Sequence, residues 1–418
     1  MPTSRPKAIL DDDLPPKETL LHLSIGRIHF QIDWLSWCFK ALAFSALAVY
    51  LFSAWWLFSP WSPAWSSQNT MIPGVGHEAL EEYFHTFSGN TECGIGLADL
   101  YVPPQKDDNG KYARGAFCPN REKLLEAMTG GGRHGFDAPY YPKGCHYRWY
   151  SVAEICMILE RFDSLVFIGD DTLQPIYSGL NMLLRQDLAL GSLDPSSELS
   201  PSELSTTCRC DNQFIKDTCA KHALTSSDQV ALSSNNNNQN QNPYLCSRTP
   251  HAFLSISGSP FDLSTLKSLR ARIPRAPASN YHPIPIITSL TPPSTGNDNA
   301  PSATLATQTL SALLSFADAT ARKTPILWLN PPATGHLDIS GSGKQRNGNN
   351  NNNYNSNNDL WMFSEEMQRV AREKDVEVLG LWNMTVQASS WDGRRFGSSV
   401  ALVQAMMVLN WLSRLESS

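Results

Sequence analysis

The residues best suited to chemistry lie in two short polar segments about 220 residues apart. The first is residues 169–171 (GDD), which end the apolar run at residues 165–168 and are followed at once by a helix-like segment. A strand, a tight turn and a helix in succession present a nucleophile at the carboxyl edge of a parallel sheet. Asp171 stands where a nucleophilic serine would be expected. The second segment is residues 392–395 (DGRR), just before an apolar helix candidate.

Strand and helix candidates that could position these segments alternate along the second half of the chain. Short apolar runs predict five strands, at residues 165–168, 252–257, 284–290, 325–330 and 376–382. Such runs are typical of parallel strands buried on both faces. Helix candidates lie at residues 151–162, 173–190, 303–317, 360–373 and 398–415. The alternation predicts an α/β fold with a doubly wound parallel sheet.

An uncharged apolar run of 19 residues occupies positions 41–59. As a helix it would reach about 28 Å, the thickness of a bilayer core. Lys40 precedes it, and the next basic residue is Lys106. We therefore predict one transmembrane signal anchor at 34–61, which places the N-terminus in the cytosol. The tryptophans expected at the membrane interface are Trp34, Trp37, Trp55, Trp56 and Trp61. A cleaved signal peptide is the alternative, although its apolar region would normally be about 7–15 residues long.

The rest of the chain is divided by composition. We predict a polar cytosolic tail at 1–33, a stem at 62–92 and one luminal domain at 93–416. Two Asn-rich tracts, 233–243 and 341–358, are too polar to contribute to a core and are expected to be loop insertions. The net charge is −6 with no basic block, so nucleic acid is not expected as a partner. No cofactor and no metal site are expected.

Cysteine usage agrees with a luminal domain. Eight of the nine cysteines follow the predicted anchor, and an oxidising lumen favours their pairing. Eight cysteines allow roughly a hundred connectivities, so the sequence leaves the pairs open. A zinc site at Cys208, Cys210 and Cys219 is the alternative, although their spacing does not match a C-x2-C knuckle. Asn383 begins an Asn-Met-Thr sequon and is a glycosylation candidate.

The chain resembles the SGNH/GDSL hydrolase superfamily, and most of all its PC-esterase branch. That branch includes plant trichome-birefringence-like polysaccharide O-acetyltransferases and the luminal domains of fungal capsule O-acetyltransferases. In this chain GCHYRWYSVAEICMILERF runs into FIGDDT, where the family has a Gly-Asp-Ser turn. SSWDGRRFGSSVALVQAMMVLNWL is similar to the family's Asp-x-x-His block and closing helix. The resemblance covers residues 93–416. It implies an SGNH-like fold and a setting in glycan or cell-wall polysaccharide O-acylation, in the Golgi or ER.

Transferred by position, the family's site residues are altered. Its nucleophilic serine falls on Asp171, its general-base histidine on Arg395, and the aspartate that orients the base on Asp392. Gly169 and Asp170 would lie in the cleft. Two further positions, Gly258 and Asn297, could supply oxyanion-hole donors or could be plain turn residues.

These substitutions argue against serine-esterase chemistry. A serine nucleophile needs a base that accepts its proton and returns it, and arginine, with a pKa above about 12, cannot do so. Nucleophile and base lie within hydrogen-bond reach in such sites. We therefore predict an Asp171–Arg395 ion pair at under about 4 Å. The alternative is that Arg395 is a solvated loop charge.

Two further roles for polar residues are compatible with the sequence. His336, after the fourth strand candidate, could act as a substitute base or be structural. Asp170, Asp171 and Asp392 could bind a divalent cation. Two functions therefore remain. One is a pseudoenzyme whose cleft binds a glycan or a partner acyltransferase. The other is an active polysaccharide O-acetyltransferase or esterase with a non-standard site.

Overall fold

The structure is a computed structural model. It describes residues 40–51 except 41 and 48, and then residues 82–87, 93–107, 109–197, 200–230, 246, 249–256, 263–274, 281–292, 303–337 and 357–416. The chain divides into two compact units, Met1–Gly74 and Val75–Ser418. Most of both Asn-rich tracts, the predicted tail and most of the predicted stem lie outside the described residues.

The first unit is described only around the predicted anchor. Residues 40, 42–47 and 49–51 are helical, and their side chains, among them Phe44 and Tyr50, are exposed. Over the residues that the structure describes, we find no helix both long enough and apolar enough to cross a membrane. Most of the predicted anchor at 34–61 lies outside them, so the anchor stays a prediction.

The second unit contains nine described strands. In chain order they are β1 (Gly132–Arg133), β2 (Tyr140–Tyr141), β3 (Leu165–Gly169), β4 (His251–Ser255), β5 (Ile286–Ser289), β6 (Ile326–Leu329), β7 (His336–Leu337), β8 (Glu377–Leu379) and β9 (Ser389–Ser390). β1 and β2 form an antiparallel hairpin, and β7 pairs with β9 in parallel. The central sheet has the order β4-β3-β5-β6-β8, and all its pairs are parallel. Its strands are the five that the apolar runs predict.

Most of the described helices lie between these strands. The described helices are α1 (Leu97–Leu100), α2 (Arg121–Gly130), α3 (Val152–Leu159), α4 (Gln174–Arg185), α5 (Pro201–Thr207), α6 (Asn212–Ile215), α7 (Asp217–Ala220), α8 (Leu263–Arg272), α9 (Thr304–Ala319), α10 (Asn357–Glu373), α11 (Trp382–Thr385) and α12 (Ser398–Ser413). Of these, α1 and α2 precede β1, and α12 follows β9. A short 3-10 helix, Glu82–Phe84, precedes them.

Both faces of the central sheet are covered by helices. Alternate strand residues point to opposite faces. Phe167 of β3 belongs to a core shared with α1, α2, α3, α4 and α12, whereas Ile168 belongs to a second core shared with α8, α9 and α10. This is the doubly wound arrangement that the alternation of elements predicts.

The strand order creates a switch point. Counted along the chain, the central strands are arranged 2-1-3-4-5, so the order reverses between β3 and β5. In open α/β sheets, ligands bind outside the carboxyl ends of the strands at such a point. Gly169 ends β3, and Asp170 and Asp171 follow it directly, so the fold places this turn at the switch point.

Helix α12 is the centre of the larger core. Nearly every residue between 398 and 412 is buried, as expected of a helix that is apolar all round. It packs closely on α4, where a side chain at Gly179 would overlap the backbone carbonyl of Ala401. The helix that follows the candidate turn is therefore fixed against the helix that follows residues 392–395.

Four disulfides join the eight cysteines beyond residue 74. The pairs are Cys93–Cys210, Cys118–Cys145, Cys156–Cys246 and Cys208–Cys219. The zinc alternative is wrong, because all three of the sulfur atoms it needs are in disulfides. Bridges of this number indicate an oxidising compartment, such as the secretory pathway or the cell exterior.

Candidate functional site at the sheet switch point

Asp170 ties the two strands of the switch point together. Its Oδ1 accepts hydrogen bonds from Thr172 N at 3.0 Å and Thr172 Oγ1 at 2.6 Å. Its Oδ2 accepts one from Thr291 N, just beyond β5, at 2.5 Å. The half-buried carboxylate therefore bridges the loop after β3 and the loop after β5. Both oxygens of the Asp170 carboxylate are thus used to stabilise the turn.

Asp171 is placed differently. Its side chain is exposed. Across the described ranges it makes no hydrogen bond, ion pair or ring contact, and no imidazole contacts it. Asp171, at the predicted nucleophile position, thus has no base bonded to it in the described part of the chain.

Both carboxylate oxygens of Asp392 accept hydrogen bonds from its own loop. The backbone N–H groups of Arg394 and Arg395 both donate to Oδ1 at 2.9 Å, and Arg395 Nε donates to Oδ2 at 2.8 Å. Burial raises the pKa of Asp392, but these donors and the guanidinium charge more than offset it, so its pKa lies below the ordinary value. Asp392 is therefore held as a carboxylate by Arg395, its neighbour in sequence.

The predicted Asp171–Arg395 ion pair is wrong. Arg395 Nη1 donates to Ile215 O at 2.9 Å and pairs with the Asp217 carboxylate, while its Nε binds Asp392. Nε and Nη1 of Arg395 are thus bonded to other acceptors, and no ion pair joins Arg395 to Asp171 in the described part of the chain. Ile215 and Asp217 belong to residues 211–220, a segment that also contacts the start of α4, where Gln174 Nε2 donates to Ala220 O at 3.4 Å.

His336 does not replace the missing base. It lies in β7, is exposed, and packs its ring edge-to-face against Phe136 at 5.4 Å between centroids. In the described structure its ring makes no hydrogen bond to a carboxylate or hydroxyl, so no proton relay joins it to Asp171. The role of substitute base therefore has no geometric support.

The remaining predicted positions have separate outcomes. Gly169 and Asp170 lie at the switch point, and their predicted place in a cleft stays a prediction. Gly258 and Asn297 fall outside the described residues, so their proposed oxyanion-hole roles stay predictions. No group of three or more His, Cys, Asp or Glu side chains could hold a metal ion within the described ranges, so Asp170, Asp171 and Asp392 form no such cluster there.

Two residues of the sequon, Asn383 and Thr385, are packed and hydrogen-bonded in the folded domain. Asn383 is half-buried in α11, and its Nδ2 donates to Thr129 O at 3.0 Å. Thr385 is fully buried and donates through Oγ1 to Leu381 O at 3.0 Å. Because a glycan is a bulky surface group, its attachment at Asn383 would have to precede the packing of α11. Glycosylation at this position stays a prediction.

Sequence reasoning missed three residues of this region. Thr291 donates its backbone N–H to Asp170, which no sequence pattern reveals. Asp217 holds Arg395, and Asp211 accepts the Ser398 N–H at the start of α12 at 2.7 Å. The density of aspartate and cysteine between 208 and 219 was the available signal.

A buried histidine supports the sheet beneath the site. His251 begins β4 and is 3% exposed, and its Nδ1 lies 2.9 Å from the hydroxyl of Tyr177 in α4. Burial lowers the pKa of His251 to about 4 from 6.5, the Asp228 carboxylate opposes this, and Arg272 adds to it. The fold therefore holds the imidazole neutral at neutral pH.

Stability is consequently expected to fall on acidification. The pKa of His251 is lower in the folded state than in the unfolded state, so its contribution is complete above pH 6.5 and is lost as the pH falls towards 4. Between pH 7 and pH 5 the loss is about 2 kcal/mol in the free energy of unfolding. Urea unfolding at several pH values measures it. His251→Gln should flatten this part of the pH dependence, whereas His282→Gln, at an exposed histidine, should not. Equal slopes in the wild type and His251→Gln would refute the assignment.

Comparison with known proteins identifies no family for this chain. No protein-family model matches the chain, and no curated protein matches it. The likeness to SGNH/PC-esterase domains therefore rests on the chain's own motifs, FIGDDT and WDGRRFG, and family membership remains a proposal.

Proposed function

We propose that this protein is a membrane-anchored protein of the secretory pathway, Golgi or ER, with a luminal SGNH/PC-esterase-like domain. In this proposal the domain is non-catalytic. It acts in glycan or cell-wall polysaccharide O-acylation by binding glycan or a partner acyltransferase. The 2-1-3-4-5 parallel sheet with a polar turn at its switch point supports a ligand-binding cleft. The four disulfides support a luminal location.

The observation that carries the non-catalytic assignment is the bonding of Arg395. In a serine esterase the residue here takes a proton from the nucleophile and later returns it. Arg395 cannot release a proton, and it is bonded to Asp392, Asp217 and Ile215. Among the described residues, no base is bonded to Asp171. Loss of either triad member usually costs several orders of magnitude in rate, and here both positions are changed.

Ester hydrolysis by the full-length protein tests this assignment. With an aryl acetate and an acetylated polysaccharide, the wild type and Asp171→Ala should both release acetate at the background rate. If the wild type turns over and Asp171→Ala does not, the protein is an active acyltransferase or esterase and the non-catalytic proposal fails.

Restoring the family's serine and histidine at positions 171 and 395 tests the family resemblance separately. The double variant Asp171→Ser/Arg395→His supplies a nucleophile and a base that Asp392 can orient. We expect its aryl acetate hydrolysis to exceed background by at least about tenfold, because a positioned general base contributes roughly 100-fold or more. Asp171→Ser/Arg394→His, with the histidine one residue away, is the matched control and should stay at background. If both variants fold, by their melting curves, and both stay inactive, positions 171 and 395 do not form an SGNH-type site.

A further inference from the structure

Three exposed rings lie on adjoining segments, one of which is the loop that contains Asp392. Phe136 is 57% exposed and Trp391 is 41% exposed. Phe136 packs edge-to-face against the exposed ring of His336. His336 is the register partner of Ser389 in β9, and Trp391 follows Ser389 by two residues. We call Phe136, His336 and Trp391, with Asp137 and Ser389 between them, the ring surface.

Hydrogen bonds of Arg133 and Asp137 hold the loop that carries Phe136 in place. Arg133 is buried, and its guanidinium donates to Met384 O at 3.0 Å and Ala138 O at 2.6 Å. Asp137 N donates to Gln387 O at 2.9 Å. The Asp137 carboxylate accepts from Ser389 N at 2.7 Å and from the Ser389 hydroxyl. These bonds hold an exposed phenylalanine in one place, although burial of the ring elsewhere would be more favourable.

The backbone of the loop is also strained. Asp137 has a φ of 51°, in the left-handed region that non-glycine residues rarely adopt. Such conformations persist only where surrounding bonds enforce them, and they concentrate at functional sites. Here the enforcing bonds are those to Gln387 and Ser389. The strain and the exposed rings are independent observations at the same place.

The side chains of the ring surface indicate the class of ligand that it would bind. Exposed aromatic rings close together mark binding sites, and flat rings fit the C–H faces of sugars. The imidazole of His336 and the spare lone pairs of Asp137 and Ser389 can bond hydroxyl groups. The exposed carboxylate of Asp137 lies within the surface and disfavours an anionic ligand.

We propose that the ring surface binds a neutral glycan chain beside the loop that contains Asp392. This inference rests on the proposed function, which supplies the setting in glycan metabolism, and it names the surface that would recognise the glycan. The surface holds a chain of sugars by stacking on Phe136 and Trp391 and by hydrogen bonds at His336. It requires no chemistry at Asp171.

Affinity electrophoresis of the full-length protein provides the test. The probes are mannan, xylan and a soluble β-glucan as neutral polysaccharides, and polygalacturonate as the anionic one. We expect retardation by at least one neutral probe. Phe136→Ala/Trp391→Ala should weaken that binding by about tenfold or more, since aromatic side chains that a ligand covers dominate such contacts. Trp361→Ala removes a tryptophan of matching exposure, 44%, on α10 and should leave it unchanged. Phe136→Tyr/Trp391→Phe keeps both rings and should restore most of the binding.

The outcomes separate this inference from the proposed function. Three results would each overturn the ring surface as a glycan site. They are no binding to any neutral probe, binding to polygalacturonate alone, and equal binding by the alanine and wild-type proteins. A melting temperature of the alanine variant close to the wild type's shows that lost binding is not unfolding; if the variant unfolds, Trp391→Ala alone decides by the same criterion. Acetate release by the wild type would instead overturn the non-catalytic function and leave this surface standing.

Discussion

Replacing Gly169 by alanine is expected to lower the free energy of unfolding by at least about 3 kcal/mol. A Cβ at this position would overlap the carbonyl oxygen of Ser289 in the neighbouring strand and would lie 3.0 Å from Leu173 Cδ2. Ser289 belongs to the central sheet and cannot move without breaking the β3–β5 pairing. The glycine of FIGDDT is therefore required by strand packing, whether or not the site performs chemistry.

Chemical denaturation measures this effect, and Gly130→Ala is the control. Gly130 ends α2, and a Cβ there meets only the flexible side chain of Lys143, at 3.0 Å from its Cδ. The control should change the free energy of unfolding by under about 1 kcal/mol. If Gly169→Ala is as stable as Gly130→Ala, the two strands separate easily at the switch point and our account of the turn is wrong.

Removal of the Cys93–Cys210 disulfide is the second large expected effect. This bridge closes 117 residues, for which the loop-closure model gives about 4–5 kcal/mol. The same loop contains Cys118–Cys145, so the unfolded chain is already constrained and we expect a loss of about 2–4 kcal/mol from Cys93→Ser/Cys210→Ser. Thermal unfolding in the absence of reductant measures it.

The position of the bridge adds a local effect that distinguishes it from other disulfides. Cys210 adjoins Asp211, which accepts the Ser398 N–H at the start of α12, and the same segment supplies Asp217 to Arg395. Hydrogen exchange at the first turn of α12 should therefore accelerate in Cys93→Ser/Cys210→Ser. It should not in Cys118→Ser/Cys145→Ser, compared at equal stability. Equal protection in the two variants would show that the bridge does not position this segment.

Much of the fold could be predicted from local patterns. All five strands of the central sheet were predicted, because short apolar runs between polar segments report burial on both faces. Helix α8 was missed, although Leu266, Leu269 and Ile273 recur at helical spacing and its Leu269 and Ile273 are buried in the second core. Helix α4 ends at Arg185 rather than at 190, because Gln186 takes a left-handed conformation with φ 53°. That choice depends on packing and is not visible in the helix pattern.

For the candidate site, the sequence by itself determined the residue types and the contacts that are close along the chain. Serine-type chemistry is disfavoured by the identities of Asp171 and Arg395 alone, and the Asp392–Arg395 bond follows from their separation of three residues within one turn. The partner of Arg395 was decided only by the tertiary structure. The disulfides of Cys208 and Cys210 hold a segment distant in sequence, which presents Asp217 and Ile215 O to the guanidinium. An arginine bonds the carboxylates that lie nearest to it. Arg395 and Asp217 are 178 residues apart in sequence, so the folded backbone brings them together and no local pattern does.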